Sequence, residues 1–159
     1  MKDDQQQLRE HLTALLRGGQ SFRPMEEIVQ GITLADAGRK PEKLPYTLWQ
    51  LLEHLRIAQW DILEFSRNPE HQSPAWPDEY WPDAEAPANQ QALNRTLDAL
   101  ADELEEMIQL VQDPKNDLYA PITHGDGQTL LREAQVLAQH NAYHLGEIIV
   151  VRRLLGEWT

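Results

Sequence analysis

Cysteine is absent from the 159 residues. That excludes disulfides, cysteine-based zinc sites, iron–sulfur clusters and a cysteine nucleophile. It is compatible with a reducing compartment. Long apolar runs are absent too. The longest, Ile148–Val151, is four residues, far short of the roughly 20 that cross a bilayer as a helix. The opening MKDDQQQLREHL is polar and lacks the apolar stretch of a secretory signal. These features predict a cytoplasmic protein with no membrane partner. Basic charge is scarce: 14 Lys and Arg stand against 26 Asp and Glu, for a net charge of −12. Such a surface repels phosphate backbones, and a pair of adjacent charges such as Arg152–Arg153 makes no nucleic-acid footprint, so nucleic acid is not an expected partner. No segment shows convincing strand-like alternation, and there is no internal repeat or low-complexity tract.

Four helical patterns are present. The first runs from Asp3 to Arg17, with Leu8, Leu12, Leu15 and Leu16 at helical spacing, and stops at Gly18-Gly19. A short helix is expected after Pro24, and Ala37–Pro45 reads as loop. The second begins at Thr47, where Thr47 and Gln50 fit a capping box, and ends near Ser66. Leu48, Leu51, Leu52, Leu55, Ala58 and Ile62 form its apolar face. The stretch HQSPAWPDEYWPDAEAPA is too rich in proline for helix and too aromatic for an ordinary linker. It predicts an ordered loop between the second and third helices, packed over an end of the bundle. The third helix spans Pro87 to Gln112. The fourth starts just after Asp126 or Gly127, with Asp126 as its cap, and runs to about Leu155 before Gly156. The chain fits one domain, 1–159, of all-α class: a four-helix bundle with two connections long enough to cross it.

The chemistry lies in the histidines. His140 and His144 are four residues apart, just over one helical turn, so both imidazoles leave the same face. That pair can hold a divalent metal from two corners. The expected third ligand is His54, mid-way along the second helix and bordering its apolar stripe. Competing chemistries fit poorly. No histidine has Glu three residues before it, as carboxylate-bridged di-iron bundles require. Asn141 follows His140, so the glutamate base of a His-Glu-x-x-His zinc protease is missing. What remains is a mononuclear, three-nitrogen site with open positions, suited to zinc, nickel, copper or iron.

The final run HNAYHLGEIIVVRRLLG, with LWQLLEHLRIAQWDIL, WPDEYWP and HGDGQTLLREA before it, resembles the DinB-like (damage-inducible) superfamily of bacterial four-helix-bundle proteins. The resemblance covers nearly the whole chain, and HxxxHxG followed by apolar residues and two arginines is its most specific part. It implies an up-down-down-up bundle, a homodimer, and a metal held by His54, His140 and His144. It further implies chemistry with a low-molecular-weight thiol, as S-transferase or isomerase, on a small-molecule substrate. The family often has Gln where this chain has Glu147.

Other residues have two readings each. Glu147, one turn from His144, is placed to orient a ligand or act as a base, although a solvated carboxylate is the plainer reading. Tyr143 lines the pocket or packs. Asp61 is expected in an ion pair or cap. Trp76, Tyr80 and Trp81 wall a cleft or anchor the loop. His124 reads as a loop residue, His11 and His71 as surface, and Arg152 and Arg153 as surface charges available to an anion. Two functions follow: a metal-dependent transferase or hydrolase, or a non-catalytic dimeric metal-binding or stress-associated module.

Overall fold

The computed structural model describes residues 4–158. Among the described residues six α-helices form: α1 (Asp4–Arg17), α2 (Met25–Val29), α3 (Leu34–Ala37), α4 (Leu48–Arg67), α5 (Gln90–Gln112) and α6 (Leu130–Leu154). A single 3-10 turn at Asp78–Tyr80 lies between α4 and α5, and no strand is present among the described residues. The fold is all-α, and α1, α4, α5 and α6 are the four helices expected from the sequence pattern. Asp3, the expected start of the first, lies outside the described residues.

Local chemistry sets most of the helix ends. Gly18 and Gly19 adopt φ of +72° and +81°, the left-handed conformation that stops α1 and that only glycine adopts without strain. Thr47 accepts the N–H of Gln50, and the Gln50 side chain accepts the N–H of Thr47, completing the capping box that starts α4. Two starts differ from expectation. The Asn89 side chain accepts the Ala92 N–H, so α5 begins at Gln90 and not at Pro87. Asp126 does not cap α6. Residues 121–129 turn back on themselves, with the Ile122 N–H bonded to the Gln128 carbonyl at 2.7 Å, and Thr129 caps the helix by accepting the Arg132 N–H. The short helix α3 claims Ala37 from the expected loop.

The apolar stripes meet in one core. Leu48, Leu51, Leu52 and Leu55 of α4 are fully buried, as are Leu93 and Met107 of α5 and Leu137 and Ile148 of α6. Each contributes about 1.5–3 kcal/mol by leaving water. α1 and α4 each pack against both α5 and α6, and the most extensive contact is between α4 and α6. Buried polar groups tie the bundle together. Arg9 of α1 donates to the carbonyls of Val111, Asp113 and Asn116, neutralising the negative C-terminal end of α5. Gln59 of α4 donates to the Leu100 carbonyl and accepts from Asn141, linking α4, α5 and α6. Arg152 corrects the sequence expectation. It is not a surface charge but is buried, donating to the Ile28 carbonyl at 2.6 Å and lying 4.9 Å from the Trp158 ring. Arg153 is exposed.

Candidate metal centre

His54 projects from α4, and His140 and His144 from α6, across the most extensive helix contact in the bundle. One nitrogen from each ring lies within 4.8 Å of the others. His54 and His144 are buried and His140 is half-buried. This group could hold a metal ion.

Hydrogen bonds on the far side of two rings settle which nitrogens face inward. His54 Nδ1 lies 2.9 Å from the Tyr80 carbonyl oxygen. A carbonyl only accepts, so Nδ1 carries the proton, and in the neutral ring the Nε2 lone pair is free. His144 Nδ1 lies 2.5 Å from Glu147 Oε2, an acceptor that holds a proton on Nδ1, so in its neutral form this ring too turns a lone pair on Nε2 inward. The two Nε2 atoms are 3.2 Å apart. Two lone pairs at that distance repel unless a proton or a metal cation lies between them. A third ring stands beside them, with centroids 5.2 Å and 4.5 Å from those of His54 and His144. His140 Nδ1 is buried with no hydrogen-bond partner, an unsatisfied state that costs free energy. Burial and the neighbouring His144 and His54 push the His140 pKa down to about 4. Burial also lowers that of His54. Near neutral pH both rings are therefore uncharged, the form that ligates a metal. Three convergent imidazole nitrogens fit a borderline-soft divalent ion and leave coordination positions for other ligands.

An outer layer fixes these rings. Trp81 lies flat on His54, with centroids 4.0 Å apart and planes 2° from parallel. Tyr46 stacks on Trp81 at 5.5 Å and donates its hydroxyl to Glu147 Oε1 at 3.1 Å. Tyr143 meets His144 edge-on at 4.9 Å and is 68 % exposed. The matching family model, described as the DinB superfamily, spans residues 19–148. The chain belongs to the DinB superfamily. No curated protein and no solved structure matches it. All three histidines of this DinB-superfamily chain fall inside the matched stretch, and membership and cluster together are compatible with a metal-binding protein.

The remaining sequence candidates are spread more widely. Glu147 is not a freely solvated carboxylate, because His144 and Tyr46 each bind one of its oxygens. Asp61 is buried and paired: His71 Nε2 lies 2.8 Å from Oδ1, and the Tyr80 hydroxyl donates to Oδ2 at 2.6 Å. His71 is consequently not a surface residue, its side chain being only 5 % exposed. Tyr80 and Trp81 both contact His54, whereas Trp76 is 73 % exposed and meets Tyr80 by its edge. His124 donates to the Phe65 carbonyl at 2.7 Å and His11 is exposed, both outside the three-histidine group. Tyr46 was missed by sequence reasoning. Its only signal was its place just before the Thr47 cap. Among the described residues no helix is long and apolar enough to cross a membrane.

Proposed function

We propose that this chain is a metal-dependent enzyme in which His54, His140 and His144 hold one divalent ion, zinc, nickel or iron, and which catalyses transfer or hydrolysis on a small molecule. The observation that carries the reading is the convergence of two Nε2 lone pairs whose tautomers are set from behind by Tyr80 and Glu147. When bound, such an ion supplies Lewis-acid activation of a thiol or a water. The proposed nucleophile is a low-molecular-weight thiol, as family resemblance implies. Glu147 keeps the His144 proton on Nδ1, and Tyr46 keeps Glu147 in place. Trp81 shields one face of His54 from water. Tyr143, exposed beside His144, is the proposed aromatic contact for substrate.

Metal content of protein purified without chelator tests the site. The expected result is about one divalent ion per chain, lost in His54→Ala. If the protein retains no ion, and an added one binds no tighter than to His54→Ala, the proposal is wrong. One observation favours a second reading, a non-catalytic metal-binding module: both Glu147 oxygens are engaged, so this carboxylate is not free to act as a base. A thiol-transfer assay on folded His140→Ala separates the two. Activity in the parent chain that disappears in the variant supports the enzyme, and inactivity of both across a panel of electrophiles supports the module.

A further inference from the structure

Asp61 lies two turns beyond His54 on α4, and seven residues bring a helix back to nearly the same face. A carboxylate this buried is tolerated only when paired. Both of its partners come from the chain that follows α4. His71 occupies Oδ1, with the edge of the Trp60 ring system against it at 5.0 Å, and the Tyr80 hydroxyl occupies Oδ2. An ionised carboxylate only accepts, so the Tyr80 hydroxyl is the donor in this pair. The main chain of Tyr80 meanwhile accepts the Nδ1 proton of His54, and the next residue, Trp81, lies flat on the His54 ring. Tyr80 is thus fastened to α4 twice, by its side chain at Asp61 and by its carbonyl at His54.

The regular structure around Tyr80 is slight. Between α4 and α5 the only helical turn is the three-residue Asp78–Tyr80 element. A single 3-10 turn does not hold a carbonyl at hydrogen-bond distance from a helix by itself. The side-chain bond to a buried carboxylate does, because a charge-assisted hydrogen bond shielded from water is short and strong. The consequence reaches the metal centre through one proton. With the carbonyl in place, His54 carries its hydrogen on Nδ1 and turns a lone pair inward. With the carbonyl displaced, Nε2 is free to take the hydrogen, and it then presents a donor where a ligand atom is needed.

We propose that Asp61 and the Tyr80 hydroxyl are positioning residues: their hydrogen bond clamps the Tyr80 carbonyl behind His54 and so fixes the His54 tautomer that ligates metal. This rests on the three-histidine reading for its effect on binding, but the tautomer is readable without any ion. Long-range proton–nitrogen NMR of the histidine rings, on chelator-treated protein above pH 7, measures it directly. The full chain is expected to show His54 protonated at Nδ1. Tyr80→Phe, which keeps the ring and removes only the hydroxyl, is expected to move His54 substantially toward the Nε2-protonated form, and Asp61→Asn to do the same. Cobalt titration of both variants is expected to show affinity lowered by about tenfold or more. A role in stability alone would lower the unfolding midpoint and leave the tautomer untouched. The clamp is overturned if His54 keeps its proton on Nδ1 in Tyr80→Phe or in folded Asp61→Asn, or if the parent chain carries it on Nε2. Should Asp61→Asn not fold, Tyr80→Phe alone decides. If the parent chain takes up no cobalt, the metal reading fails while the NMR result still decides the clamp.

Discussion

Glu147 is the residue through which His144 and Tyr46 meet, and its removal should be felt in metal affinity before stability. Glu147→Ala is expected to weaken zinc or cobalt binding by about 10–100-fold. Glu147→Gln, which can still accept from Nδ1, should lose less. Competition titration against a chelating dye reads both. Tyr46 stays a donor to this carboxylate because burial, followed by Glu147 itself, raises its pKa. Two other residues give the ion-free protein opposite pH responses. His140 has its pKa pushed from the usual 6.5 to about 4 by burial first. Between those values the unfolded chain binds more protons than the fold. The stability from His140, of order 2–3 kcal/mol, is therefore full above pH 6.5 and lost as pH falls toward 4. A His140→Gln variant should lose stability less steeply over that window in urea unfolding with chelator. Glu103 of α5 behaves the other way. Burial lifts its carboxyl from 4.5 to about 7, against the opposing effects of Gln59 and Arg56. Its folded-state proton favours the fold below pH 4.5, and that advantage disappears as pH rises through 7. Glu103→Gln should gain about 1 kcal/mol at pH 8, discounted for partial exposure, and nothing near pH 4.

At the scale of the helix, the caps matter most where they carry the site. Thr47→Ala removes the side-chain acceptor that starts α4, the helix bearing His54, and should cost about 1 kcal/mol in urea unfolding. This cap could be read from sequence because its partner, Gln50, is three residues away and the chemistry is local. The start of α6 could not be read as easily. Asp126 and Thr129 are both good caps, and the choice was made by the turn of residues 121–129, which packs Ile122 back onto Gln128. Arg152 was misread because Arg153 beside it suggested a charged surface. The helical phase held a contrary signal: Leu145, Ile148 and Arg152 fall at i, i+3 and i+7, and all three are buried. The pairing of Asp61 with His71 and Tyr80 had no periodicity to betray it. Those partners lie in a loop, where contacts follow from tertiary packing.

For the whole molecule, the four long helices were legible because their leucine stripes repeat at the helical period, and the histidine pair because His140 and His144 share a face by spacing alone. The meeting of His54 with that pair depends on which helices touch, and periodicity does not encode that. The α4–α6 contact does. An ion held by both helices binds the fold and not the unfolded chain, so it adds free energy of folding in proportion to the logarithm of its concentration. That amounts to about 2.7 kcal/mol at a hundred times its Kd. Thermal unfolding should accordingly shift upward with added zinc and fall back with chelator, and His54→Ala should show neither change. A further consequence follows from the arrangement of donors, two on one helix a single turn apart and one on the other. Sliding α6 past α4 by one turn, about 5.4 Å, would carry one member of the pair out of reach of His54 and break the trio. An ion seated there would act as a gauge of axial alignment, rewarding one registration of the two helices and penalising its neighbours.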